Sequence, residues 1–195
     1  MSRTLTASAS HEAVIKRSRF IAHAAHCTSE DQAREFLAAI GDPTATHNCW
    51  AWRAGDQYRF DDDGEPGGTA GRPILQAIEG QDMDQVAVVV IRYYGGIKLG
   101  TGGLIRAYGG TAAECLRTAP STPIITMAQL NCRVPFEAIS LTHQLLERHH
   151  AHKLEEHYGA DGVELLLELP EKSLTSLRQD LSNATSGQLE VIDDR

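Results

Sequence analysis

Arg92-Tyr93-Tyr94-Gly95-Gly96-Ile97-Lys98-Leu99-Gly100-Thr101-Gly102-Gly103-Leu104-Ile105-Arg106 collects residue types that together suit an anion. An apolar β-branched run at 86–91 precedes it and reads as a strand buried on both faces, and helical spacing follows over 104–117. Between the two, glycines let backbone N–H groups come close to a ligand, and a helix amino terminus adds its dipole. Lys98 and Arg106 supply positive charge, with Arg72 and Arg92 as further candidates. The ligand such a loop takes is a phosphate, held by Arg72, Arg92, Gly95, Gly96, Lys98, Gly100, Gly102, Gly103 and Arg106. It is no Walker A loop, which needs G-K-[ST], and the third glycine of the dinucleotide fingerprint falls on Ile105. The competing reading gives these glycines only tight turns and close helix–sheet packing; both readings stand at this point.

Asp61-Asp62-Asp63-Gly64-Glu65 offers carboxylates for Mg²⁺, and His47 a general base. An EF-hand register fails, because aligning Gly64 with the turn glycine puts Arg59 at position 1 and Ala70 at position 12. A polar site of His47, Asp62, Asp63 and Glu65 and a solvated turn with capping aspartates are the two readings. No metal-ligand spacing accompanies His149, His150, His152 and His157, and the Cys27 and Cys49 neighbourhoods supply no third catalytic member. Trp50, Trp52, Tyr58, Phe60, Tyr93, Tyr94 and Tyr108, set among Arg53, Arg59, Arg72, Arg92 and Arg106, have the composition of a stacking surface for single-stranded nucleic acid.

The elements that position these residues follow from periodicity. Residues 18–25 alternate as a strand after a polar, aperiodic terminus of about a dozen residues, read as loose. Ser29-Glu30-Asp31-Gln32 is a capping box, with Ala33, Phe36, Leu37 and Ile40 on one helix face and Gly41 at its end. Residues 49–53 and 57–60 form a hairpin about Gly55-Asp56, and a helix starts at Thr69 or Pro73 and runs to Glu79. Ser121-Thr122-Pro123 reads as a linker between domains 1–120 and 124–195. In the second, apolar alternation and helical spacing (Ala138, Leu141, Leu145, Leu146; Leu174, Leu177, Leu181) give the ferredoxin-like order β-α-β-β-α-β.

Composition bounds the rest. The chain has 195 residues, 18 Lys+Arg against 26 Asp+Glu, a net charge of −8, 42% apolar and 23% charged residues, as in a soluble globular protein. No run is long enough to span a membrane, and the four scattered cysteines fit a reducing compartment, so a cytoplasmic location without membrane contact is expected. The acidity excludes a uniformly basic nucleic-acid binder. It is unevenly spread: residues 120–195 hold 6 basic and 12 acidic residues, residues 1–119 hold 12 and 14, and 85–113 hold no acid at all.

Asp62-Asp63-Gly64-Glu65-Pro66, Thr69-Ala70-Gly71-Arg72-Pro73, Gly95-Gly96-Ile97-Lys98-Leu99-Gly100 and Gly102-Gly103-Leu104-Ile105-Arg106-Ala107-Tyr108 closely resemble the YigZ/IMPACT family. Ser18-Arg19-Phe20 and Thr46-His47-Asn48-Cys49-Trp50 fit it too, and the likeness covers about 15–118. It implies an α+β protein: an N-terminal ribosomal protein S5 domain 2-like fold, a sheet backed by two helices, then a small ferredoxin-like domain similar to the C-terminal domain of elongation factor G. Eukaryotic relatives regulate translation initiation by competing for an activator of a nutrient-sensing kinase; this chain lacks their recruitment domain, so that control is not carried over. Small-molecule kinases share the fold superfamily, but the serine of their glycine-rich loop is missing here. The expectation is a non-catalytic, translation-associated regulator binding RNA, the ribosome or a translation factor through the glycine-rich cationic loop, with no cofactor. The alternative is a Mg²⁺-dependent enzyme acting on a nucleotide or phosphate ester at the same loop.

Overall fold

In the computed structural model, which describes residues 2–194, the chain divides into a unit ending at Ile124 and a second beginning at Ile125. The first is built on a five-stranded antiparallel sheet of β2 (Ala9–Ile15), β3 (Ser18–His26), β6 (Val86–Tyr93), β4 (His47–Ala54) and β5 (Gln57–Asp61), in that spatial order. The continuous apolar run makes β6 the central strand, buried along all but its last residue. Successive side chains point to opposite faces. Val86, Val88 and Val90 therefore join α2 (Gly71–Gly80) and α3 (Thr101–Thr118) in the main core, with Phe20, Ile74, Ile78, Tyr108 and Leu116. Ala87 goes to the other face, into a smaller cluster with Cys27, Trp52 and Ala33 of α1 (Glu30–Ile40). The sheet implied by resemblance, backed by two helices, thus has a third helix over part of its opposite face.

Four local expectations are corrected. The amino terminus is not loose: β1 (Arg3–Leu5) pairs with β7 (Ser121–Pro123), and β2 forms an edge of the main sheet. The same pairing makes the supposed linker a strand of the first unit. The Arg3 guanidinium donates to the Ser121 carbonyl at 2.9 Å, and Leu5 is buried, so the short polar strand is held by one side chain at each end. Gly41 follows α1 at φ −58, outside the left-handed region; its role is closeness, since a Cβ there would lie 2.9 Å from the Leu37 carbonyl. The Ser29 cap stands, accepting from Gln32 N at 3.3 Å, but the Gln32 side chain reaches Thr28 N at 2.8 Å rather than Ser29.

In the second unit, β8 (Met127–Val134), α4 (Ile139–Arg148), β9 (His152–Tyr158), β10 (Val163–Pro170), α5 (Glu171–Ala184) and β11 (Glu190–Asp194) form an antiparallel sheet ordered β11-β8-β10-β9. Leu130, Cys132, Val163, Leu165, Leu167, Leu177 and Leu181 fill its core. Leu141, expected on the apolar face of α4, is exposed; Thr142 takes the buried position. Away from the core, β10 presents Glu164, Leu166 and Glu168, with Glu164 opposite Arg133 and His157 and Leu166 opposite Glu155.

Replacing Leu5 separates a docked strand from a loose terminus. Leu5→Ala is expected to lower stability to urea by about 2–5 kcal/mol, the range for buried leucines; a change within about 0.5 kcal/mol would be the surface outcome.

Candidate functional site

Antiparallel pairing brings four connections to one end of the first sheet. β3 begins there at Ser18, β6 ends there at Tyr93, β4 begins at His47 and β5 ends at Asp61, as the pairs Arg19↔Tyr93, His47↔Arg92 and Trp50↔Asp61 require. The turn at 16–17 and the segments 41–46, 62–70 and 94–100 gather at that end.

Arg92 occupies the next inward-facing position after Val86, Val88 and Val90, so alternation drives its guanidinium into the core face, where it is 5% exposed. A charge so placed requires a partner. Glu65, 8% exposed, supplies it: Glu65 Oε1 accepts from Arg92 Nη1 and, at 2.7 Å, from the Tyr108 hydroxyl. His47 Nε2 lies 3.8 Å from the same oxygen. The guanidinium also sits 5.5 Å from the Phe20 ring centre and 5.4 Å from that of Tyr94, within cation–π range. Burial pushes the Tyr108 hydroxyl far above its ordinary pKa, with the nearby Cys49 and Glu65 adding to it. Arg92 and Glu65, one expected to hold phosphate and the other a metal, hold each other.

The aspartates of the same loop serve the backbone. Asp62 Oδ1 accepts from Ala70 N (2.9 Å) and Gly71 N (2.8 Å), neutralising the amino end of α2, while Oδ2 accepts from Gly68 N at 2.7 Å. Burial pushes the Asp62 carboxyl up, but these three donors outweigh it and hold it below the usual range. Asp63 Oδ2 accepts from Asn48 N at 2.5 Å, and the Asp63 carbonyl accepts from His47 Nδ1–H at 2.6 Å. The buried Cys49 thiol donates to the Asp62 carbonyl at 3.0 Å; burial, with nearby carboxylates, pushes its pKa up to about 12, far from nucleophilic at neutral pH. Among the described residues no group of three His, Cys, Asp or Glu side chains is disposed to hold a metal ion. His149, from the histidine-rich stretch, pairs instead with Asp180 at 2.8 Å.

The cations of the glycine segment lie differently. Arg72, Lys98 and Arg106 are exposed, and no carboxylate pairs with them among the described residues. Gly96 (φ +86) and Gly100 (φ +72) turn the loop through the left-handed region. α3 starts at Thr101, so Gly102 and Gly103 belong to its first turn rather than to the loop, and Arg106 Nη1 folds back to 3.6 Å from where a Gly102 Cβ would sit. No side chain caps α3, whereas Ser29 caps α1 and Asp62 accepts from the first N–H groups of α2. Arg72 is exposed in the first turn of α2, with no hydrogen bond to the glycine loop among the described residues. Of the aromatic set, Trp52 and Tyr108 fill the core, Trp50 and Tyr93 are half-buried, and Tyr58, Phe60 and Tyr94 face solvent. A groove of about 600 Å³ on the α1 side, lined by Asp42, Pro43, Trp50, Asp61 and Asp63, includes no basic residue.

Two features escaped the sequence reading. Arg92 continues the alternation of β6, so its inward direction was legible, but Glu65 as its partner was hidden by a loop without periodicity. Lys16 and Arg17, exposed in the β2–β3 turn at this end, were hidden by reading the terminus before them as loose.

Residues 16–116 match the family described as Impact N-terminal domain, and residues 132–188 match a domain of unknown function, DUF1949. An "IMPACT family member in pol 5'region" of Thermus thermophilus is 52% identical over 157 residues, covering 80% of this chain and 87% of that protein. "IMPACT family member YigZ" of Escherichia coli is 34% identical over 185 residues, 91% of this chain and 90% of that one. A solved structure described as that of a hypothetical protein superposes with a TM-score of 0.64 at 32% identity, covering 97% of this chain and 95% of its own.

Removing one member of the buried pair should cost more than removing both. Glu65→Ala, which strands Arg92 in the core, is expected to lose about 3–5 kcal/mol, while Glu65→Leu/Arg92→Met recovers most of it. Urea unfolding of the three proteins measures this; a single-variant loss below about 1 kcal/mol would mean that the pair is not buried as described.

Proposed function

The chain belongs to the IMPACT family, and from that membership we propose that it is a non-catalytic, translation-associated regulator that binds RNA, on or off the ribosome, through the cationic loop ahead of α3. The observation that carries this reading is the state of Lys98 and Arg106. Both are exposed and unengaged by any carboxylate among the described residues, beside a helix amino terminus that no side chain caps. Unpaired cations and free N–H groups at one place recognise phosphate oxygens without regard to base identity. Tyr94, exposed at the start of the loop, offers a ring for a base. Arg72 stands as a further phosphate contact, whereas Arg92 acts from within by holding Tyr94 and Glu65 in place.

Charge distribution supports assigning RNA to the first unit. The second unit carries most of the negative charge, and its open sheet face bears Glu155, Glu164 and Glu168. The Mg²⁺-dependent alternative draws no support from the loop geometry, because Asp62, Asp63 and Glu65 are each engaged by protein donors.

The test is binding of single-stranded RNA across a salt series, followed by fluorescence anisotropy, with ribosome co-sedimentation beside it. Loss of two phosphate contacts in Lys98→Ala/Arg106→Ala is expected to flatten the salt slope by about 1.4 and to weaken binding about twentyfold at 0.1 M salt. Equal binding and equal slope in variant and parent would refute the reading.

A further inference from the structure

The turn between β2 and β3 is built from residues that a turn of its kind does not favour. Ile15 pairs with Ser18, leaving Lys16 and Arg17 as a two-residue hairpin loop with φ +45 and φ +67. Positive φ at both central positions is the type I′ geometry, for which Asn-Gly is strongly preferred because larger side chains crowd the backbone there. At the opposite end of the same sheet the β4–β5 hairpin uses Gly55, at φ +59. Among the described residues, Lys16 and Arg17 are the one pair of consecutive non-glycine residues at positive φ. Two long cations held against local preference are an outlier that calls for a role besides turning the chain.

Their neighbourhood indicates that role. Gly95 packs directly on this turn: a Cβ at Gly95 would lie 2.0 Å from the Arg17 carbonyl oxygen and 2.5 Å from Ser18 N, so no other residue fits without backbone movement. The Gly95 N–H donates to Ser18 Oγ at 3.2 Å, which fixes the two segments together. Lys16 and Arg17 are exposed and, among the described residues, have no carboxylate partner. Arg19, just beyond, is by contrast held by Glu12 at 2.7 Å and has no free charge to offer.

We propose that the Lys16-Arg17 turn is the second half of the RNA-binding rim, its two cations contacting phosphates of the same strand that Lys98 and Arg106 hold. This rests on the RNA-binding reading above and extends it to residues outside the glycine segment. The backbone contact at Gly95 sets the separation between the two halves, and the strained turn presents both side chains outward.

The test uses the full chain and a 20-nucleotide single-stranded RNA as probe. Lys16→Asn/Arg17→Gly installs the preferred I′ residues, so the melting temperature is expected to rise by about 2–4 °C. RNA binding is expected to weaken about twentyfold at 0.1 M salt, with the salt slope flatter by about 1.4. Lys16→Gln/Arg17→Gln keeps the backbone cost and removes only charge; it should show the same binding loss with an unchanged melting temperature. Parent-like binding in either variant overturns the inference. If the parent binds RNA and responds to Lys98→Ala/Arg106→Ala but not to the turn variants, the inference alone fails. If the parent binds no RNA, the functional reading fails with it.

Discussion

The buried pair of Arg92 and Glu65 is the constraint on which the organisation of the first unit depends. A guanidinium at the inward-facing end of a central strand cannot stay in an apolar core uncompensated, and the protein meets this by folding 62–70 back over the sheet end. Once Glu65 is placed, the rest of that segment follows. Asp62 sits where it caps α2, Asp63 binds the start of β4 through Asn48 N, and His47 closes against the Asp63 carbonyl. Tyr108 ties α3 to the same carboxylate, and the Arg92 guanidinium lies over the Tyr94 ring as the glycine segment begins. One ion pair therefore joins the central strand, the acidic loop, α3 and the entrance to the glycine loop.

This division of labour separates charges that hold the fold from charges left exposed and unpaired among the described residues. The acidic motif looks chemical, but its aspartates are consumed by backbone N–H groups and Glu65 by Arg92 and Tyr108. The cationic positions look similar to one another in sequence yet divide cleanly: Arg92 is internal, Arg19 is bound to Glu12, and Lys16, Arg17, Lys98 and Arg106 are exposed and unpaired among the described residues. A net charge of −8 does not oppose such a rim, because screening confines interactions between exposed charges to about 10 Å at ordinary salt.

Much of the fold was legible. The 2-residue and 3.6-residue periods placed the five long helices and most strands of the two sheets, though not β2 at an edge of the first, and the β-α-β-β-α-β order of the second unit was read from apolar alternation and helical spacing together. What failed did so for identifiable reasons. The strands at Arg3–Leu5 and Ser121–Pro123 are three residues long, too short for any alternation to register, and they exist because they pair with each other. Leu141 fits helical spacing but faces solvent, since a period marks a face without saying what covers it. At the candidate site the glycine loop was found by composition. Its relation to Lys16 and Arg17 required the pairing of β3 with β6, between residues sixty or more apart in the chain, which no local pattern encodes.

The central claim is that a protein acidic overall binds RNA at one end of one sheet, where unpaired cations from two chain segments meet. The most direct measurement is a residue-by-residue map of backbone amide chemical shifts during titration with single-stranded RNA. The account predicts shifts concentrated at Lys16, Arg17, Tyr94–Gly96, Lys98 and Gly100–Arg106, fading as salt is raised. Shifts confined to the second unit, or none at saturating RNA, would contradict it.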